Sequence, residues 1–262
     1  MKRIALGIEY QGTQYCGYQK QLDCPTVQGH LEAALADIAN EPIALTCAGR
    51  TDTGVHAVGQ VVHFETKAAR GLKAWVQGAN TKLPTDIRIS WAKEVTDTFH
   101  ARFSAGSRQY RYVIFNRPVA SAVLANRVTH VSAPLDDKAM HEAAQSLLGE
   151  HDFSSFRASG CQANNAIRTV EKVSVTRQAD FIFIDIQANA FLHHMVRNIT
   201  GTLLQVGQNK SPVEWVAEVL ALQDRTKAGV TAPAAGLYFV NAFYPERFGL
   251  QQVVLDGVLW HL

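Results

Sequence analysis

The 262-residue chain has no apolar run near the roughly 20 residues that cross a bilayer, so no membrane span is expected. It also lacks a C-x-x-C pair. Its four cysteines, Cys16, Cys24, Cys47 and Cys161, are scattered, which argues against a zinc site. The opening MKRIALGIEY carries two basic residues, but its apolar positions alternate and Glu9 interrupts them. That pattern reads as a strand rather than an export signal, so reduced thiols in a cytoplasmic protein are expected. Gly49 and Gly54 fall in neither dinucleotide nor P-loop spacing, so they imply no phosphate cradle. Acidic residues are missing from two long stretches: between Asp97 and Asp136, and from Phe153 to Val170.

Arginine fills those gaps. Arg102, Arg108, Arg111, Arg117 and Arg127 lie in the first stretch, and Arg157 and Arg168 in the second. Arginine interleaved with Phe and Tyr suits a polyanion that also presents flat bases. Ordinary solvated basic strands would carry the same residues. The formal charge of +2 says little by itself. With 47% hydrophobic and 18% charged residues, the chain has enough for a sizeable core in one large or two modest domains.

Periodicity gives the organisation. Ile4, Leu6, Ile8 and Tyr10 alternate as a strand. Thr26 is placed to cap a helix with Val27, Leu31, Leu35 and Ile38 on one face. Strands are expected at Ala44–Ala48, Gln60–Thr66 and Ile87–Val95, with a helix at Leu72–Leu83 ended by Pro84. The same order then recurs: a strand at Arg108–Phe115, a helix at Met140–Leu148, and a hairpin of Val170–Thr176 with Phe181–Ala188. A helical stripe of Val196, Ile199, Leu203 and Val206 follows. The last elements are a helix from Pro212 to Leu222 capped by Ser211 and a strand at Leu237–Phe243. The expected fold is α+β: two ferredoxin- or RRM-like β-α-β-β-α-β halves merged into one antiparallel sheet, with halves at 1–105 and 106–262 forming one catalytic unit.

One block stands out for chemistry. AGRTDTGVHA at 48–57 sets Asp52 between two threonines, with Arg50 two residues before and Gly54 two after. Aspartate is common in turns. Held beside a cation in a dry cleft, an ionised carboxylate is also a competent nucleophile. Arg50 is a local cation, and Arg197 in FLHHMVRNITG is a distant one able to offer a bidentate fork. Tyr110 and Tyr112 share one strand face and Arg111 takes the other; a tyrosine facing a cleft could stack on a base, or pack in the core. His56 and His63 accompany Asp52 and suggest a metal-dependent hydrolase as one competing reading. His193 and His194, being adjacent, are expected to point in different directions.

Several blocks together resemble the TruA-type tRNA pseudouridine synthases across nearly the whole chain. These are Y-x-G-x-x-Y-x-G-Y-Q at Tyr10–Gln19, AGRTDTGVHA at 48–57 and F-x-A-R-F-S-A-x-x-R-x-Y-R-Y at Phe99–Tyr112. HDFSSF at 151–156, Arg168-Thr169, FLHHMVRNITG at 191–201 and G-L-Y-F-V at Gly236–Val240 continue the match. Tyr18 stands where the family often has tryptophan, and Gln11 where it often has aspartate. The resemblance implies isomerisation of uridine to pseudouridine at positions 38, 39 and 40 in the anticodon stem-loop of tRNA, by a homodimer without cofactor or metal. It implies Asp52 as nucleophile, Arg50 as the residue that evicts the base, Tyr110 against the uridine and Arg197 paired with Asp52. The target base must be flipped out of its stack first. Asp52 could then attack C1′ or C6, or promote elimination. Arg70, Arg102, Arg108, Arg111, Arg117, Arg157 and Arg168 become candidates for tRNA phosphates. A non-catalytic RNA-binding protein with two RRM-like halves is the alternative.

Overall fold

In the computed structural model, which describes residues 1–254, the chain is mixed α+β, with ten strands in one large, mostly antiparallel sheet. This is the class the sequence predicts. Two compact units make up the chain: Met1–Gly106 with the segment from Phe239 onward, and Ser107–Tyr238.

In the first unit, β1 (Lys2–Tyr10) is buried along most of its length. Helix α1 (Val27–Ala39) begins as the sequence predicts, with the Thr26 side chain accepting from the Gly29 amide at 3.3 Å. It ends at Asn40, whose left-handed φ of 55° stops the helix. Val27, Leu31 and Leu35 form its buried face. The strand expected at Ala44–Ala48 shrinks to β2 (Thr46–Cys47). The reason lies in α1: the Leu45 amide donates to the Glu32 carboxylate at 3.0 Å instead of to a ladder. Strand β3 (His56–Thr66) is longer than expected, starting just after the Asp52 turn. The helix expected at Leu72–Leu83 is shorter and contains a widened π-type turn at Ala74–Gly78. Trp75 in that turn is fully buried, its ring edge-on to Phe64 with centroids 5.2 Å apart. Strand β4 (Ile87–Val95) and β3 flank β1, both antiparallel to it.

In the second unit, β5 (Ser107–Asn116) carries β6 (Thr129–Val131) in parallel on one side. Helix α2 (Asp137–Ala144) is capped by Asp136, which accepts from the amides of Lys138 and Ala139. Strand β7 (Gly149–Asp152) pairs with β8 (Ile167–Gln178). The expected hairpin forms between β8 and β9 (Phe181–Ala188), turning at Ala179 with φ 50°. β9 is antiparallel to β5. The stripe predicted from Val196 is helix α3 (Met195–Gly207), of which ten residues are buried. Helix α4 (Trp215–Leu222) starts later than expected. Pro212 is spent in a tight turn closed by the Trp215 amide at 3.2 Å, so Ser211 caps nothing and Glu214 holds the cap position. β6 and β7 are too short for their periodicity to be read.

The last strand, β10 (Leu237–Phe243), returns to the first unit and lies beside β3 there. No helix among the described residues is long and apolar enough to cross a membrane.

Candidate active site

Asp52 sits in a four-residue turn closed by the Val55 amide donating to the Asp52 carbonyl at 3.1 Å. Gly54, at the third position, has φ 77°, which favours glycine and corresponds to a type II turn. The turn alternates inward and outward. Thr51 is buried, Asp52 half-buried, and Arg50 and Thr53 exposed.

The N-terminal motif is the cradle of this turn. The Tyr10 hydroxyl and the Thr51 hydroxyl are hydrogen-bonded at 2.7 Å, both buried. The Tyr18 amide donates to the Thr51 carbonyl at 3.0 Å, and the Gly12 amide donates to Nδ1 of His56 at 3.0 Å. Gly17, with φ 93°, brings its backbone against Thr51–Thr53. On the other side, the Gln60 side chain donates to the Gly49 carbonyl at 2.6 Å. Burial raises the Tyr10 hydroxyl well above its ordinary pKa, so it stays protonated and able to donate. Cys47 is close to the turn. Burial pushes its thiol up to about 11, against the downward pull of the Arg50 guanidinium. Thus the residue before Asp52 is fixed by side chain and main chain, and the carboxylate is carried on a pre-set backbone. This is the arrangement a reacting group needs, because small misplacements cost rate steeply.

The two histidines that follow Asp52 in sequence have structural uses. His56 accepts the Gly12 amide, and Nδ1 of His63 accepts the Ala101 amide at 3.1 Å. Burial lowers His63 to about 4, so its ring is neutral when it accepts. The two rings serve separate segments of backbone.

Among the second-unit residues, Tyr110 is buried with its ring edge-on to Phe191, centroids 4.8 Å apart. Tyr112 packs in the core, bonding Thr129 at 2.5 Å and the Pro233 carbonyl at 2.8 Å. Arg197, half-buried near the start of α3, donates from Nε to the Ala232 carbonyl at 2.8 Å, and the Ala232 amide returns a bond to the Arg197 carbonyl. His193 and His194 depart from the expectation. Their rings lie together, centroids 4.0 Å apart, and His194 has a left-handed φ of 60°.

The other arginines fall into distinct environments. Arg70 is exposed, its Nε on the Ile38 carbonyl at 2.9 Å. Arg102 is exposed, its guanidinium 5.4 Å from the Phe103 ring centre. Arg108 donates to the Asn189 carbonyl at 3.0 Å. Arg111 forms a two-point ion pair with Asp185, at 2.8 and 2.9 Å. Arg117 donates to the Val119 carbonyl. Arg157 holds the carbonyls of Cys161 and Ala163, and Arg168 holds Asn165 and the Ile167 carbonyl. Burial lowers the pKa of Arg168, and the charge of Arg157 adds to that effect, which places the two near one another.

Residue types alone did not point to two supports. The Tyr10–Thr51 bond joins two separate motif blocks, and the co-occurrence of those blocks was its only signal. Asn198, fully buried, donates to the Phe156 carbonyl at 2.8 Å and accepts from Arg225 and Thr231, tying α3 to two loops.

A family model described as tRNA pseudouridine synthase matches residues 7–104 and 143–245. A protein from Hydrogenovibrio crunogenus named tRNA pseudouridine synthase A is 68% identical over 260 residues, covering 99% of each chain. One of the same name from Pseudoalteromonas atlantica is 58% identical over 251 residues, covering 96% of this chain and 95% of its own. Another, from Aeromonas hydrophila, is 56% identical over 258 residues, covering 98% and 96%.

Proposed function

Since the chain belongs to the tRNA pseudouridine synthases, isomerases that convert uridine to pseudouridine, we propose that its substrate is the anticodon stem-loop, at positions 38, 39 and 40, and that Asp52 is its nucleophile. The observation that carries the second part is the locked turn: Thr51 held by Tyr10 and Tyr18, with the Asp52 side chain next along the chain. The choice of stem-loop rests on the motif resemblance at 10–19, 48–57 and 99–112. Membership of the family sets aside both the non-catalytic RNA-binding reading and the hydrolase reading.

The reaction breaks the N1–C1′ bond of uridine and forms a C5–C1′ bond. The proton on C5 is lost and N1 regains one, so the product is an isomer and no electrons or groups are supplied from outside. Arg50, exposed on the turn, fills the space left by the flipped base and offsets part of the few kcal/mol of unstacking. Arg197 is proposed as the cationic partner of Asp52, as the motif resemblance implies, with a guanidinium able to orient a carboxylate. Tyr110 stacks on the uracil. Arg70, Arg102, Arg108, Arg111, Arg157 and Arg168 are proposed to lie along the RNA backbone. Arg111 needs to part from Asp185 to reach a phosphate, so the exposed Arg70 and Arg102 are the stronger candidates. We take the working form to be a cytoplasmic homodimer, as the resemblance implies.

The test is base-resolved mapping of pseudouridine after incubation with unmodified tRNA. The expected outcome is modification at 38, 39 and 40 by the unaltered protein. Asp52→Ala is expected to reduce it to background while tRNA affinity stays within about threefold. Full activity in Asp52→Ala would refute the nucleophile, and modification confined to other positions would refute the site.

A further inference from the structure

The segment after β4 turns a corner at residues 98–103, and a set of hydrogen bonds fixes it. The Arg3 guanidinium donates to the carbonyls of Asp97 and Phe99, the latter at 2.7 Å. The Ala101 amide donates to His63, and the Tyr244 hydroxyl donates to the Ala101 carbonyl at 2.7 Å. The amides of Arg102 and Phe103 both donate to Nδ1 of His100, at 3.2 and 3.1 Å. Burial and the charges of Arg3 and Arg102 hold His100 below its usual pKa, which keeps Nδ1 available as an acceptor.

The product of this bracing is one exposed aromatic ring. Phe103 is 76% exposed. One face of its ring stacks on His100, centroids 4.3 Å apart and planes at 24°, and His100 in turn leans on His63 at 4.8 Å. Arg102 lies 5.4 Å from the ring centre. No acidic residue follows in sequence until Asp136. A phenyl ring left in water forgoes burial energy that a flat partner laid on it would recover. Three properties indicate which. The ring is flat and already ordered, so stacking on it costs little entropy. It is joined to a cation, which favours an anionic partner. It is a single ring rather than a broad apolar patch, which is too small for a protein interface core.

We propose that Phe103 is a stacking platform for an unpaired base of the RNA substrate, extending the binding surface beyond the Asp52 turn. The proposal rests on the tRNA-modifying function put forward above. It assigns affinity and positioning to Phe103 and no part in the chemistry. Stacking is tolerant of base identity, since every base has a π-face.

The test compares the unaltered protein with Phe103→Ala, Phe103→Leu and Phe103→Trp. Affinity for unmodified tRNA is measured between about 50 and 200 mM salt. Phe103→Ala is expected to weaken binding on the order of 10- to 100-fold, the scale of one lost base stack. Its slope against salt is expected to be unchanged, because no phosphate contact is removed. Phe103→Leu, which keeps the apolar bulk, is expected to fall with Ala, and Phe103→Trp to retain affinity with its fluorescence quenched by tRNA. Thermal melting of each variant checks folding, which an exposed ring should leave intact. Unchanged affinity in Phe103→Ala would overturn the platform, as would Leu retaining what Ala loses. A change of oligomeric state with tRNA affinity retained would assign the ring to a second copy of this chain instead. Failure here is separate from failure of the broader function: if the unaltered protein makes pseudouridine while Phe103→Ala binds normally, only the platform falls.

Discussion

Replacing Gly17 with alanine is expected to damage stability and catalysis together, and the structure sets the size of both. Gly17 is buried with φ 93°, and a methyl group there would lie 2.7 Å from the Thr51 carbonyl oxygen, 3.2 Å from the Asp52 carbonyl carbon and 3.3 Å from the Thr53 nitrogen. All three are backbone atoms of the Asp52 turn, so no flexible side chain can give way. Forcing a β-carbon into that conformation costs about 1–2 kcal/mol. The overlap adds about 1–3 kcal/mol, as overpacking does elsewhere. A net loss of about 2–5 kcal/mol lowers the melting temperature by about 5–20 °C for a chain of this size. Relief of the clash moves the turn by several tenths of an ångström, which is expected to slow the single-turnover rate about 10- to 100-fold with tRNA affinity nearly kept. Gly71→Ala is the control, since nothing lies within 4 Å of a methyl there. The measurements are melting by circular dichroism and single-turnover pseudouridine formation under conditions where both proteins are folded. A Gly17→Ala protein with normal rate and melting point would refute the claim that this glycine seats the Asp52 turn.

Tyr10→Phe removes the partner of the buried Thr51 hydroxyl, and is expected to cost about 1–2 kcal/mol in urea unfolding and to lower kcat while leaving KM in place; a raised KM with normal kcat would contradict the positioning role. His63 gives a pH dependence. Its pKa is about 4 when folded and 6.5 when unfolded, so the unfolded chain binds the extra proton and stability rises with pH through that window. The gap corresponds to at most about 3.4 kcal/mol, and allowing for water reaching part of the ring leaves about 2 kcal/mol. Urea midpoints at the two ends of the window should show the difference, and His63→Gln should flatten it; an equal slope in both proteins would exclude His63 as the source.

Elements with local signals were legible in the sequence. Thr26 announced α1 through its own side chain, and the alternation of β1 and the aromatic run of β5 needed no tertiary information. The Asp52 turn was legible because Gly54 and its threonines are neighbours in sequence. Where a distant group decides the outcome, the sequence was silent. Leu45 left its expected strand because Glu32, thirteen residues away, took its amide. Arg111 is a candidate phosphate ligand by residue type, and only the register of β5 against β9 reveals that it stands opposite Asp185 and is ion-paired there. The Tyr10–Thr51 bond spans 41 positions, and only the pairing of β1 with β3 brings its two halves together. The helix expected at Pro212 began late because a proline suits both a first helical residue and the turn that precedes one.

The return of β10 to the first unit has a consequence for how the protein is made. A ribosome delivers residues 1–106 first, but the strand that lies beside β3 emerges only after all of Ser107–Tyr238 has been translated. At ordinary elongation speeds that interval is on the order of ten seconds. Meanwhile β2 and the Ala48 amide cover the Val61–His63 part of the β3 edge, and the part that β10 will pair lacks its partner strand. The half of the protein that holds the Asp52 turn is synthesised first and completed last. A nascent chain that has not yet reached β10 exposes an edge of β3 to other nascent chains, and the Asp52 turn is carried on an unfinished sheet until Ser107–Tyr238 has been made.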